Sequence, residues 1–185
     1  MTITIKLIVV GIMATAALVL FQQVNPPTPA PAPAQAKVVD PLKAAQDALG
    51  IDLSSVAVHR DTAGCEAYTP NAVGCFIPGS GIHLGDLSKL DHYQLNGLVA
   101  HEYLHYIWYN MPDSDKAALV PSINAVYAAH AGYFDQRLSS YNLDSASRLN
   151  ELHSYECTEI YQLPADLEAH FHQYLPNRNE LPRWN

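Results

Sequence analysis

The run His101-Glu102-Tyr103-Leu104-His105 sets two imidazoles four residues apart with a carboxylate beside the first. On a helix, positions i and i+4 share a face. Two imidazoles so placed can hold one Zn²⁺ at about 2.0–2.1 Å. Glu102 is offset toward the same side, where it can reach a water on the metal and take its proton. The neighbours Leu98, Val99, Leu104, Ile107 and Trp108 are apolar. Two histidines and a glutamate buried among them without partners would be costly, and a metal with its water relieves that cost. A catalytic zinc keeps three protein ligands and one open position, so a third ligand must come from elsewhere in the chain.

The best source is the stretch Arg-Leu-Asn-Glu-Leu-His-Ser-Tyr-Glu-Cys-Thr-Glu-Ile-Tyr at 148–161, which offers Glu151, His153, Glu156 and Glu159. On a helix Glu151 shares a face with Tyr155, Thr158 and Gln162, while His153 and Glu156 lie on another side. A third histidine six residues after His105 is absent: position 111 is Met, and position 108 is Trp instead of Gly. That excludes the metzincin pattern.

His-Glu-x-x-His followed by a glutamate on a later helix resembles the gluzincins, the thermolysin-like zinc peptidases. The thermolysin family carries an Asn-Glu pair on its third-ligand helix, and Asn150-Glu151 matches it. Tyr155 stands where that family has an Asp that orients a histidine ligand, and Glu159 or Asp144 are the alternatives for that work. The resemblance spans roughly residues 73–162 and implies a zincin-like fold of minimal size. It implies His101, His105 and Glu151 as metal ligands and Glu102 as the base. Glu156, then Glu159 or His153, are the other choices for third ligand. The chain is also similar to small exported bacterial proteins with the same Asn-Glu-Leu-His-Ser…Thr-Glu run. In peptidases of this kind an edge strand lies over the cleft and pairs with extended substrate, and residues 80–86 take that place. Tyr155 and His153 are the candidates to stabilise the oxyanion.

These residues need elements to hold them. Asp40-Pro41 and Gly50 bracket a helix over 40–49. Residues 55–60 alternate as a strand, and 73–87 read as a hairpin around Pro-Gly-Ser-Gly. Residues 98–111 lack Pro and Gly and are apolar nearly all round, as in a helix at a domain's centre. Further helices fall at 114–131, 132–141, 144–162 and 164–175, with Pro121 a kink point and Asp113/Asp115 a start signal. Tyr103, Tyr106 and Tyr109 read as core packing and His83 as a polar surface residue, and His170 and His172 point apart. The expected fold is α+β, mostly helical, with a small N-terminal strand layer and a central His-Glu-x-x-His helix.

The chain has 185 residues, 10 Lys+Arg against 18 Asp+Glu, and a formal charge of −8. That balance argues against nucleic acid. Residues 7–21 are continuously apolar after Lys6, so 1–23 are a signal peptide or an N-terminal membrane anchor. The Pro/Ala-rich stretch 24–37 is an extended linker, and 38–185 are the folded domain. Either reading of the leader makes the domain extracytoplasmic, anchored or secreted. Cys65 and Cys75 flank a short turn-rich loop and suit a disulfide in an oxidising compartment, whereas Cys157 reads as a small buried apolar residue. The expected function is an exported zinc hydrolase acting on peptide or protein. Two other functions fit the same residues: a metal-binding domain without hydrolysis, and a metal-free interaction domain tethered to the envelope.

Overall fold

A computed structural model describes residues 40–65 and 72–181; the leader and linker over 1–37 lie outside them. The first helix, α1 (Pro41–Leu49), starts where the Asp40 side chain accepts from the Leu42 N–H. It ends at Gly50, whose φ of 70° is the left-handed conformation favoured after a helix. Three short strands follow: β1 (Val58–His59), β2 (Gly74–Ile77) and β3 (Gly81–Leu84). Five helices come next: α2 (His92–Asn110), α3 (Asp113–Ala129), α4 (Ala131–Arg137), α5 (Ser145–Glu159) and α6 (Ala165–Tyr174). The chain is α+β and mostly helical.

The sheet order is β1-β3-β2, with β1 parallel and β2 antiparallel to β3. The strand over 80–86 is therefore the central one, not the edge. Its residues Gly81–Leu84 are buried throughout, and β1 and β2 form the two edges. Its neighbour β1 shrinks to two residues, because 54–56 already turn. Gly81 is required where β3 begins. Its φ is 127°, and a Cβ there would sit 2.2 Å from the Ala57 carbonyl oxygen. His83 on this strand is buried, not a surface residue. Its Nδ1 lies 3.1 Å from Asp61, its Nε2 2.9 Å from Ser80 Oγ, and its ring stacks on His59. Cys65 and Cys75 are joined by a disulfide that ties the loop before β2 to that strand.

Helix α2 begins earlier than residue 98. Asp91 and Gln94 form a reciprocal capping box at its start. That cap and the burial beyond outweigh the roughly 1 kcal/mol that Gly97 costs inside a helix. Buried residues lie on every side of α2, among them Leu95, Val99, Tyr103, Leu104 and Trp108. Around it pack α1, β2 and α5. Of the tyrosine stripe, Tyr103 is buried but Tyr109 is exposed, so packing accounts for only part of it. Helix α3 runs through Pro121.

Helix α5 starts at Asp144, whose side chain accepts from the Ser147 N–H. Every residue from Leu152 to Thr158 is buried. Its last carbonyls would be orphaned, as at any helix end. The buried Arg178 supplies donors, from Nε to Cys157 O at 2.8 Å and from Nη2 to Ile160 O, while its Nη1 pairs with Glu168.

Candidate metal centre

Helices α2 and α5 bring His101, His105 and Glu151 together, with one ligand atom of each within 4.8 Å of the others. The two Nε2 atoms are 3.1 Å apart. Glu151 Oε2 lies 3.5 Å from His101 Nε2, and Oε1 3.7 Å from His105 Nε2. Two ligands of one tetrahedral ion at about 2.0–2.1 Å stand about 3.3 Å apart, so these spacings already suit a shared ion. Glu151 Oε2 is also buried without a hydrogen-bond partner. A buried carboxylate oxygen without a hydrogen bond is costly, and a bound cation would offset that cost. The donor set therefore fits a metal.

The ring of His105 is oriented from behind. Its Nδ1 donates to Asn150 Oδ1 at 2.9 Å, with Ser154 Oγ a longer acceptor at 3.2 Å. That leaves the Nε2 lone pair facing the site. Asn150 thus does for His105 what the missing Asp was expected to do. Asp144 caps α5 instead, and Glu159 bonds Tyr133 and Arg137.

Burial and the neighbouring His101 charge push the His105 imidazole down to about 4, which leaves it neutral. Burial also pulls on His101. The adjacent Glu151 and the charges of Glu102, Glu151 and Glu159 outweigh it and hold His101 above its usual range. Burial would raise Glu151, but His101, His105 and Arg137 overcome it and keep this carboxyl ionised. Glu102 is buried on the same helix. Desolvation, helped by the Glu151 charge, lifts it to about 7 against the pull of His101 and of the Phe76 backbone N–H. Phe76 lies on β2, so an edge strand runs near the proposed base.

Of the other sequence candidates, His153 and Glu156 sit apart from the three ligands. His153 is fully buried and faces α6, with Nε2 2.9 Å from His170 Nε2 and its ring against Trp108 and Phe171. Burial and His170 hold it well below its usual value, in the neutral form. Two residues past Glu151, a helix turns it roughly 200° from the site. Glu156 is fully buried, and neither of its carboxylate oxygens has a hydrogen-bond partner. Burial alone raises it to about 9. Tyr155 does reach the centre, but through its ring, whose centroid is 4.4 Å from that of His101. Its hydroxyl lies 3.2 Å from that of Tyr141. Burial and that hydrogen bond raise its pKa, and it stays a neutral phenol.

The sequence reading missed Arg137. Its guanidinium carbon sits 4.9 Å from the centroid of the same Tyr155 ring. Arg137 belongs to no motif, and only its place shortly before the ligand helix would have drawn notice. Comparisons with protein-family models, curated proteins and solved structures give no match. Among the described residues, no helix is long and apolar enough to cross a membrane.

Proposed function

We propose that this chain is an exported zinc-dependent peptidase of the gluzincin type with a minimal zincin-like domain. The observation that carries the reading is the convergence of His101, His105 and Glu151 from two helices, with Glu151 Oε2 buried and without a hydrogen bond. A His₂Glu set with room for water is the donor set of catalytic zinc. A zinc ion held there supplies an acidified water and a Lewis acid for the scissile carbonyl.

The chain's own residues do the rest. Asn150 holds His105 in the tautomer that presents Nε2. Glu102 at about 7 is matched to proton transfer near neutral pH. It accepts a proton from the attacking water and passes it to the leaving amine. Extended substrate would pair along β2, not along 80–86. Gly85 donates to Val73 O at 2.8 Å, and antiparallel pairs alternate, so Gly74 and Phe76 turn their backbone groups away from β3. One of those groups, the Phe76 N–H, lies close enough to Glu102 to lower its pKa. Strand addition beside the base recognises peptide backbone with little sequence preference. The Cys65–Cys75 disulfide suits an oxidising compartment, and the leader over 1–23 provides the route, as a cleaved signal or a retained anchor.

The test is zinc content together with Glu102→Gln. Wild type should hold about one zinc per chain and cleave an unfolded protein; the variant should keep the zinc and lose the cleavage. A chain purified without chelators that carries no zinc, or a variant as active as wild type, refutes the proposal. Zinc retained without cleavage by wild type would assign the metal to a binding domain.

A further inference from the structure

Beside the metal centre lies a cleft of about 460 Å³ lined by Tyr133, Gln136, Arg137 and Glu159. All four lining residues are polar. The Tyr155 ring joins cleft and centre, since it touches both His101 and the Arg137 guanidinium. The Tyr155 ring thus sets this cleft next to the three ligands.

The cleft holds one cation and one anion, but they are not equally presented. The Glu159 side chain is 12% exposed and that of Arg137 49%. Both Glu159 oxygens are used: Oε1 accepts from Arg137 Nη2 at 2.9 Å, and Oε2 from the Tyr133 hydroxyl. Among the described residues, Arg137 makes no hydrogen bond from Nε or Nη1. The more buried carboxylate thus holds the guanidinium, which lies over the Tyr155 face, and Nε and Nη1 remain unused in a half-exposed side chain. Surplus N–H groups in a planar fork match an acceptor pair of negative charge.

We propose that Arg137 is a specificity-determining residue that binds a substrate carboxylate, either a peptide's free C-terminus or an Asp/Glu side chain. This rests on the peptidase reading for the word substrate, but carboxylate binding can be measured without cleavage. The cleft then sets where a peptide is cut, and backbone pairing along β2 sets only its direction.

The experiment uses the zinc-loaded full chain carrying Glu102→Gln, titrated with two probes and followed by the Arg137 Nε–H resonance. N-acetyl-L-alanine offers an α-carboxylate, and N-acetyl-L-glutamic acid α-amide offers only a side-chain carboxylate. At least one should bind and shift that resonance, and the preferred probe identifies the source. Adding Arg137→Gln should weaken its binding about tenfold or more. Arg137→Lys should recover little, because a point charge does not replace the fork. Zinc content reports that each variant is folded. Binding of neither probe, or binding unchanged in Arg137→Gln, overturns the proposal. If wild type cleaves nothing but the probes bind through Arg137, the peptidase reading fails and the carboxylate site stands. If wild type cleaves peptides and the probes ignore Arg137, the reverse holds.

Discussion

Glu156 gives a sharp physical test of the interior. Its carboxyl is fully buried in α5, has no hydrogen-bond partner on either oxygen, and is raised by burial from 4.5 to about 9. The native state thus keeps a proton that the unfolded chain releases above pH 4.5. Stability contributed by the neutral carboxyl is complete below that pH and is lost as pH rises toward about 9. The slope is about 1.4 kcal/mol per pH unit. From pH 5 to pH 8 this sums to about 4 kcal/mol, a large part of the 5–15 kcal/mol that a domain has. Glu156→Gln keeps the shape and cannot ionise. Its gain over wild type should be small at pH 5 and larger by about 4 kcal/mol at pH 8. Urea unfolding of both proteins at the two pH values, with chelator present throughout, measures the difference. A gap between the two proteins that does not change with pH would show that the carboxyl reaches water or a partner when ionised, and the reasoning would fail.

Three further expectations follow from particular contacts. Asn150→Ala removes the acceptor of His105 Nδ1 and should weaken metal affinity about 10–100-fold; unchanged competition against a chromophoric chelator would dismiss that role. Gly81→Ala places a Cβ 2.2 Å from the Ala57 carbonyl oxygen at a φ of 127°, and should cost about 2 kcal/mol or more by urea unfolding; a midpoint like that of wild type would show that β1 gives way freely. Replacing Cys65 and Cys75 by Ser opens a loop with a sequence separation of 10, which should cost about 3 kcal/mol; thermal unfolding of the double variant with no loss of stability would show that the loop is held by other means.

The helical part of the site was legible because its information is local. The four-residue spacing of His101 and His105 fixes a shared face, and the Asn150-Glu151 pair marked the helix that meets it. The same periodicity already set His153 and Glu156 on another side of α5. What periodicity does not carry is the direction of a side chain's far end. Tyr155 is on the Glu151 face and reaches His101, yet its hydroxyl turns to Tyr141. The strand error has a different cause. Strand order depends on the parallel pairing of β1 with β3, a contact that no local pattern in 73–87 announces. Arg137 escaped notice because a guanidinium's role comes from the charges around it, and Glu159, Tyr133 and Tyr155 come together only in the fold.

Cys75 immediately precedes Phe76, whose backbone N–H lowers the Glu102 pKa. The disulfide therefore anchors the strand that steadies the proposed base, one residue away from it. A thiol pair in a reducing cytosol leaves that strand without its tether, and oxidation supplies it. On the export reading, a newly made chain would carry its ligand residues from the start but have its base fully set only after crossing the membrane.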